Sequence, residues 1–213
     1  MSDLYEYRIA RIRRGARREL QQELTDQIAP RTAAAGGSMY ALFAGMIGFA
    51  TDDAVLMRTW PDDETLAASA DKTLSSSVII ESSAERLIPS MRPIDATPPR
   101  LPGVYAHRWF WLQPQDWLEF QRLSEDGVWP YFESDGCRII GLWRSAEPGP
   151  LAKALLITRY PSVAHWERTR LQSPDVPDGA DEHLYHAARD AGRRRAELTE
   201  RSIARLARLL SPI

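Results

Sequence analysis

The side chains best suited to chemistry stand close together between Tyr105 and Trp111. His107 carries an imidazole that titrates near neutrality, and beside the Tyr105 phenol it is a candidate for proton transfer. Side chains alternate along a strand, so Tyr105, His107, Trp109 and Trp111 share one face, and Ala106, Arg108, Phe110 and Leu112 share the other. Tyr5 and Tyr7 from an earlier stretch, with Trp60, Trp143 and Tyr160 on neighbouring strand-like runs, add to the aromatic set. Such rings form either a dense core or the walls of a pocket for a flat apolar ligand. A guanidinium within a strand must reach solvent or meet an acceptor. For Arg8 the acceptor is at hand in Glu6, two residues away on the same face, which points to a structural ion pair. Arg108 is the candidate clamp for a ligand's anion or carbonyl, a role that requires it to face inward, against the phase just given.

The other polar clusters point to less. His165 and Glu167, two apart near a helix start, cannot share a helical face and suit capping or surface contacts. His183 and His186 share a face, but a third ligand at metal spacing is missing, so no metal site is expected. A single helical histidine suffices as an axial ligand for haem, yet nothing else selects haem, and no cofactor is expected. Arg193-Arg194-Arg195, with acidic residues interleaved around them, read as a salt-bridged, solvated helix face. Walker-type, GxGxxG, HExxH and GxSxG motifs do not occur.

These residues need elements to position them, and the elements occur twice. A shift of one hundred residues lays Tyr5 on Tyr105, Arg8 on Arg108, Pro30 on Pro130, Gly36 on Gly136, Leu56 on Leu156 and Pro61 on Pro161. Turn and breaker residues keep their places, and these report backbone geometry. The division that follows is 1–96, a proline-rich linker at 97–103, and 104–213. In the first unit a strand over Leu4 to Ile12 leads to a helix over Ala16 to Ala29 with Leu20, Leu24 and Ile28 on one side, ended by Pro30. Strands over Ser38 to Phe43 and Ala54 to Trp60 follow, then a helix begun at Pro61-Asp62-Asp63-Glu64. Glu85 to Ile94, interrupted by Pro89, reads as a sheet-edge strand. The second unit repeats this order with strands over Val104 to Leu112, Arg138 to Trp143 and Leu151 to Tyr160. It departs after a loop over 173–181, where Glu182 to Arg208 reads as one long helix and Leu209 to Pro212 as a final edge strand. Each unit is an α+β, ferredoxin-like βαββαβ arrangement whose sheet leaves one face open. Two such sheets packed face to face give an intramolecular, pseudo-dimeric α+β barrel.

Composition agrees with a globular protein: of 213 residues, 44% are hydrophobic and 26% charged, with a net charge of -2 that argues against a general nucleic-acid binder. No apolar run reaches the length of a membrane span. The lone Cys137 excludes an internal disulfide, and together with an opening that lacks a basic, apolar leader it suggests a cytoplasmic protein.

At this level the chain resembles the NIPSNAP family of the dimeric α+β barrel superfamily. The resemblance rests on Tyr5-Glu6-Tyr7-Arg8, Tyr105-Ala106-His107-Arg108 through Pro114, Trp129-Pro130-Tyr131 through Trp143, Thr158 to Glu167, and Glu81 to Pro93. It implies a small aromatic or apolar molecule held between the sheets, in a cofactor-independent enzyme of oxygenase, cyclase or isomerase type that uses His107 and Tyr105. The alternative is a non-catalytic interaction or assembly module with a filled core, its outer helices offering a homodimer surface.

Overall fold

The computed structural model describes residues 4–171 and 174–211. Met1 to Asp3, Ser173 of the expected loop and Pro212 of the expected last strand lie outside them. The first half runs β1 (Leu4–Ile12), α1 (Arg17–Glu23), a π-turn (Leu24–Ile28), α2 (Ala29–Ala34), β2 (Ser38–Ile47), β3 (Asp53–Trp60), α3 (Asp63–Thr73) and β4 (Ile79–Pro89). The second runs β5 (Val104–Leu112), α4 (Trp117–Arg122), a π-turn (Leu123–Val128), α5 (Trp129–Ser134), β6 (Arg138–Ser145), β7 (Ala152–Tyr160), α6 (Val163–Arg168), α7 (Glu182–Glu197) and β8 (Thr199–Ser211).

The eight strands close into one antiparallel barrel in the order β1-β3-β2-β8-β5-β7-β6-β4. This is the α+β barrel expected, with a refinement in how the two four-stranded sheets meet. They join along their edges as well as sheltering each other's open faces: Leu42 pairs with Ser211 and Ala44 with Arg208 at one seam, and Leu87 with Ser145 at the other. The strands read as edges, β4 and β8, are therefore seam strands, with partners on both sides over part of their length. Closure pairs the ends of the seam strands, Leu87 to Pro89 of β4 and Leu206 to Ser211 of β8, and so shortens the exposed edges that another chain could pair with. β4 also starts earlier than expected, at Ile79, and stops at Pro89, which cannot donate to a ladder.

The repeat is preserved in register. Arg8 faces Leu56 on β3 and Ala84 on β4, while Arg108 faces Leu156 on β7 and Ala204 on β8. The offset of one hundred thus grows to 120 by the last strand, and the added length is the loop and α7. Asp62 and Ser162 cap α3 and α6 from equivalent positions, accepting from Thr65 N and His165 N. Gly36 and Gly136 follow α2 and α5 at φ +86° and +78°, a backbone that other residues adopt only with strain.

Two expectations are corrected. Pro30 does not end its helix, which passes through a π-turn and continues to Ala34. The Ala29 N–H reaches back to Leu24 O, and this wider turn absorbs the proline's missing donor at the start of the next segment. Pro130 does the same in the second half. Glu182 to Arg208 is not one helix: α7 stops at Glu197, and from Thr199 the chain is a strand. The tail would satisfy helical propensity, but as β8 it completes the ladder to β5 and closes the barrel, a tertiary gain that outweighs local preference.

No helix among the described residues is long and apolar enough to cross a membrane.

Candidate functional site

The barrel interior holds most of the predicted aromatic set. Tyr5, Tyr7, Tyr105, His107, Trp109 and Trp143 point inward and are buried, and Trp111 is half-buried among them. The rings touch one another: Tyr5 meets Tyr40 at 5.1 Å between centroids and Trp143 at 5.4 Å, and Phe43 meets Tyr105 at 5.1 Å and His107 at 4.7 Å. Edge-to-face contacts at this spacing are those of a packed aromatic core. Tyr105 donates to Leu101 O at 2.7 Å, and burial pushes its phenol up to about 12. His107 Nδ1 meets the Tyr7 hydroxyl at 2.9 Å, and its Nε2 has no hydrogen-bond partner among the described residues. Burial, and secondarily the Arg205 charge, press the His107 pKa down to about 3. The imidazole is therefore neutral near pH 7.

This has a measurable consequence. Ring resonances of His107 are expected not to titrate between pH 5 and pH 8 by NMR; an inflection near the ordinary value of about 6.5 would show an interior open to water. Below about 6.5 the unfolded chain binds a proton that the folded chain refuses, so the stability tied to His107 is complete above that pH and is lost as pH falls towards about 3.

Trp60, Tyr160 and Arg108 project outward, which corrects their assignment to the space between the sheets. The alternation of β3, β5 and β7 places them under the helices. In the first half this outer face is a closed polar network. Glu6, 1% exposed, accepts from Arg8 Nε at 2.6 Å, Arg58 Nη2 at 2.9 Å and Trp60 Nε1 at 3.1 Å. Arg8 also reaches Ser82 and Asp71, and Arg58 reaches Thr73 and the Ala70 carbonyl. The two guanidinium groups hold the Glu6 pKa below its ordinary value despite burial.

In the second half the same outer face opens into a cavity of about 790 Å³ between β5, β8, α5, the segment after α6, and α7. Phe110, Phe132, Tyr160 and Trp166 supply apolar walls, and Arg108, Arg189 and Arg195 bring positive charge. Burial pushes the Tyr160 phenol up to about 12. Arg195 was expected on a solvated face; its neighbours behave so, with Arg193 on Asp190 and Arg194 on Glu119 and Glu197. Arg195 itself is only 6% exposed, its guanidinium 4.5 Å from the Phe120 centroid and 5.1 Å from that of Phe110. The sequence did hold a signal: Leu184, Ala188, Ala191, Arg195 and Leu198 follow the spacing of a buried helix stripe, with an arginine in the fourth place.

His165 contacts Asp135 at 3.1 Å, while His183 and His186 are exposed on α7. Among the described residues no group of three or more His, Cys, Asp or Glu could hold a metal ion.

The chain matches no family model and no curated protein sequence. Solved structures do share its architecture. An anthrone oxidase-like protein superposes with a TM-score of 0.61 at 13% identity, over 99% of this chain and 92% of that one. A putative chlorite dismutase gives 0.58 at 14% identity, over 99% and 96%. A haem-binding protein from Thermus thermophilus gives 0.52 at 11% identity, over 99% and 92%. At such identities the likeness establishes the fold, a ferredoxin-like dimeric α+β barrel within a single chain, and leaves the chemistry to the site.

Proposed function

We propose that this protein binds a small, largely apolar or aromatic molecule, and that the molecule sits in the outer cavity of the second half rather than between the sheets. The observation that carries the reading is the contrast between a barrel interior filled by its own rings and an open, aromatic-walled cavity of about 790 Å³ on the outer face of β5 and β8. The similarly folded anthrone oxidase-like and haem-binding proteins agree with small-molecule binding in general terms. NIPSNAP-family membership, a cytoplasmic setting, a homodimer through the outer helices and the division at 97–103 belong to the same proposal, supported by the sequence features given above.

A haem does not suit the cavity's donor set. Among the described residues no histidine, cysteine or methionine lines it, and the Tyr160 phenol resists the ionisation that axial ligation by tyrosine requires. The proton-transfer role considered for His107 and Tyr105 is likewise poorly served by side chains sealed in a packed core. That packing also favours the second reading, an assembly module without a ligand.

The two readings separate in one experiment. A thermal-shift screen of small aromatic compounds is expected to give stabilising ligands whose effect is lost in Ala196→Trp, which sets an indole at the cavity's exposed rim, and kept in Trp109→Phe, inside the barrel. Ligands insensitive to Ala196→Trp would remove the cavity from the proposal, and an absence of ligands would favour the assembly module.

A further inference from the structure

We infer that the ligand is an aromatic or apolar carboxylate, with Arg195 and Arg108 receiving its acid group; this rests on the outer cavity being the ligand site. Neither side chain makes a hydrogen bond or ion pair with any described residue. For Arg108, half-buried, water can serve; for Arg195, more than nine-tenths buried, it serves poorly. Buried charges are ordinarily paired, and a guanidinium left without a carboxylate is costly to keep.

The internal repeat shows what has been removed. In the first half Arg8 is neutralised by Glu6 and Asp71. One hundred residues on, Arg108 is retained, but Glu6 has become Ala106, and the last turn of α3 that carries Asp71 has no helical counterpart, because α6 ends at Arg168. Neither acid therefore has an acidic counterpart beside Arg108, and the segment after α6 contributes the apolar Leu171 to the cavity. A second guanidinium, Arg195, is then brought in on α7, the helix that the first half lacks. Six arginines line the cavity against one carboxylate, Glu200. Some have other partners: Arg193 holds Asp190, and Arg170 lies 3.6 Å from Glu167. Arg195 and Arg108 have none among the described residues, and burial, with the Arg108 charge second, lowers the Arg195 pKa to about 9, the direction that a bound anion would reverse. The planar, forked donors of arginine match a carboxylate's two oxygens, and Phe110, Phe132 and Tyr160 suit the apolar body attached to it.

The test uses 2-naphthoate and its neutral amide, 2-naphthamide, with affinities from ligand-observed NMR on the full chain. Wild type is expected to prefer naphthoate by about ten- to a hundredfold, the range of a hydrogen bond to a charged group. Arg195→Met should erase that preference without weakening naphthamide, Arg195→Lys should keep part of it, and Ala196→Trp should block both compounds. Equal binding of the two compounds by wild type, or an unchanged preference in a folded Arg195→Met, overturns the carboxylate assignment and leaves the cavity standing. Binding of both compounds that Ala196→Trp does not affect, or no binding of either, removes the cavity and the inference with it.

Discussion

Glu6→Ala is expected to destabilise the protein by about 3–5 kcal/mol, the cost of leaving a buried charge without its partner. Glu6 serves three buried donors at once, from Arg8, Arg58 and Trp60. Arg8 would keep Asp71, whose side chain is 86% exposed, so part of its charge would still be met near solvent. Arg58 would keep only a hydroxyl and a carbonyl, both neutral, and most of the penalty falls there. The second half shows how the same position survives without the acid, because Ala106 stands opposite Thr158 where Glu6 stands opposite Arg58. Glu6→Ala combined with Arg58→Thr should therefore be less destabilised than Glu6→Ala alone, although two charges have been deleted. Urea unfolding of the four proteins gives the coupling directly. A single-variant loss below about 1 kcal/mol, in the range of exposed ion pairs, would mean that the network is solvated. The pH dependence has the same root. With its folded-state pKa depressed, the Glu6 contribution is present above the ordinary carboxylate value of 4.5 and is lost as pH falls through the lower folded value, adding to the loss that begins earlier at His107.

Arg195→Met should act in the opposite sense and stabilise the ligand-free protein by about 1–3 kcal/mol, since replacing buried charge with a packed apolar side chain of similar length is often favourable. The contacts with Phe110 and Phe120 oppose this, at about 0.5–2 kcal/mol for a cation over an aromatic ring. Desolvation of an unpaired guanidinium costs several kcal/mol even after relaxation, so the apolar replacement wins. In a chain of this size the gain corresponds to a rise in Tm of roughly 2–4 °C per kcal/mol. Differential scanning calorimetry without ligand provides the check, and a lowered Tm would show that the guanidinium is a structural support. A residue that costs stability in the free protein is what a site kept for binding leads one to expect.

Particular residues show why the fold was more legible than the site. Pro30 with Pro130, Gly36 with Gly136 and Pro61 with Pro161 constrain the backbone locally, so their hundred-residue spacing exposed the duplicated architecture before any contact was known. Alternation along β5 likewise placed Tyr105, His107, Trp109 and Trp111 inside, because a strand has only two faces. The failures lay where non-local partners decide. Pro30 reads as a helix stop unless the π-turn before it is known, and the tail after Glu197 reads as helix until β5 is seen to need a neighbour. Trp60 and Tyr160 were grouped with the interior rings by residue type, although strand phase puts them under the helices.

Taken alone, the amino-acid order determined the repeated α+β unit, its turns and caps, and which face of the first strand in each half carries the aromatic rings, because all of these depend on neighbours a few residues apart or on exact periodicity. Tertiary structure alone decided that the two sheets close edge to edge, that the rings inside pack on one another, and that Arg195 lies buried near Arg108 with no ion pair among the described residues. Those outcomes depend on how volume is filled and charge is met between segments far apart in the chain, such as Leu87 with Ser145 and Leu42 with Ser211, and no local rule of spacing carries that information.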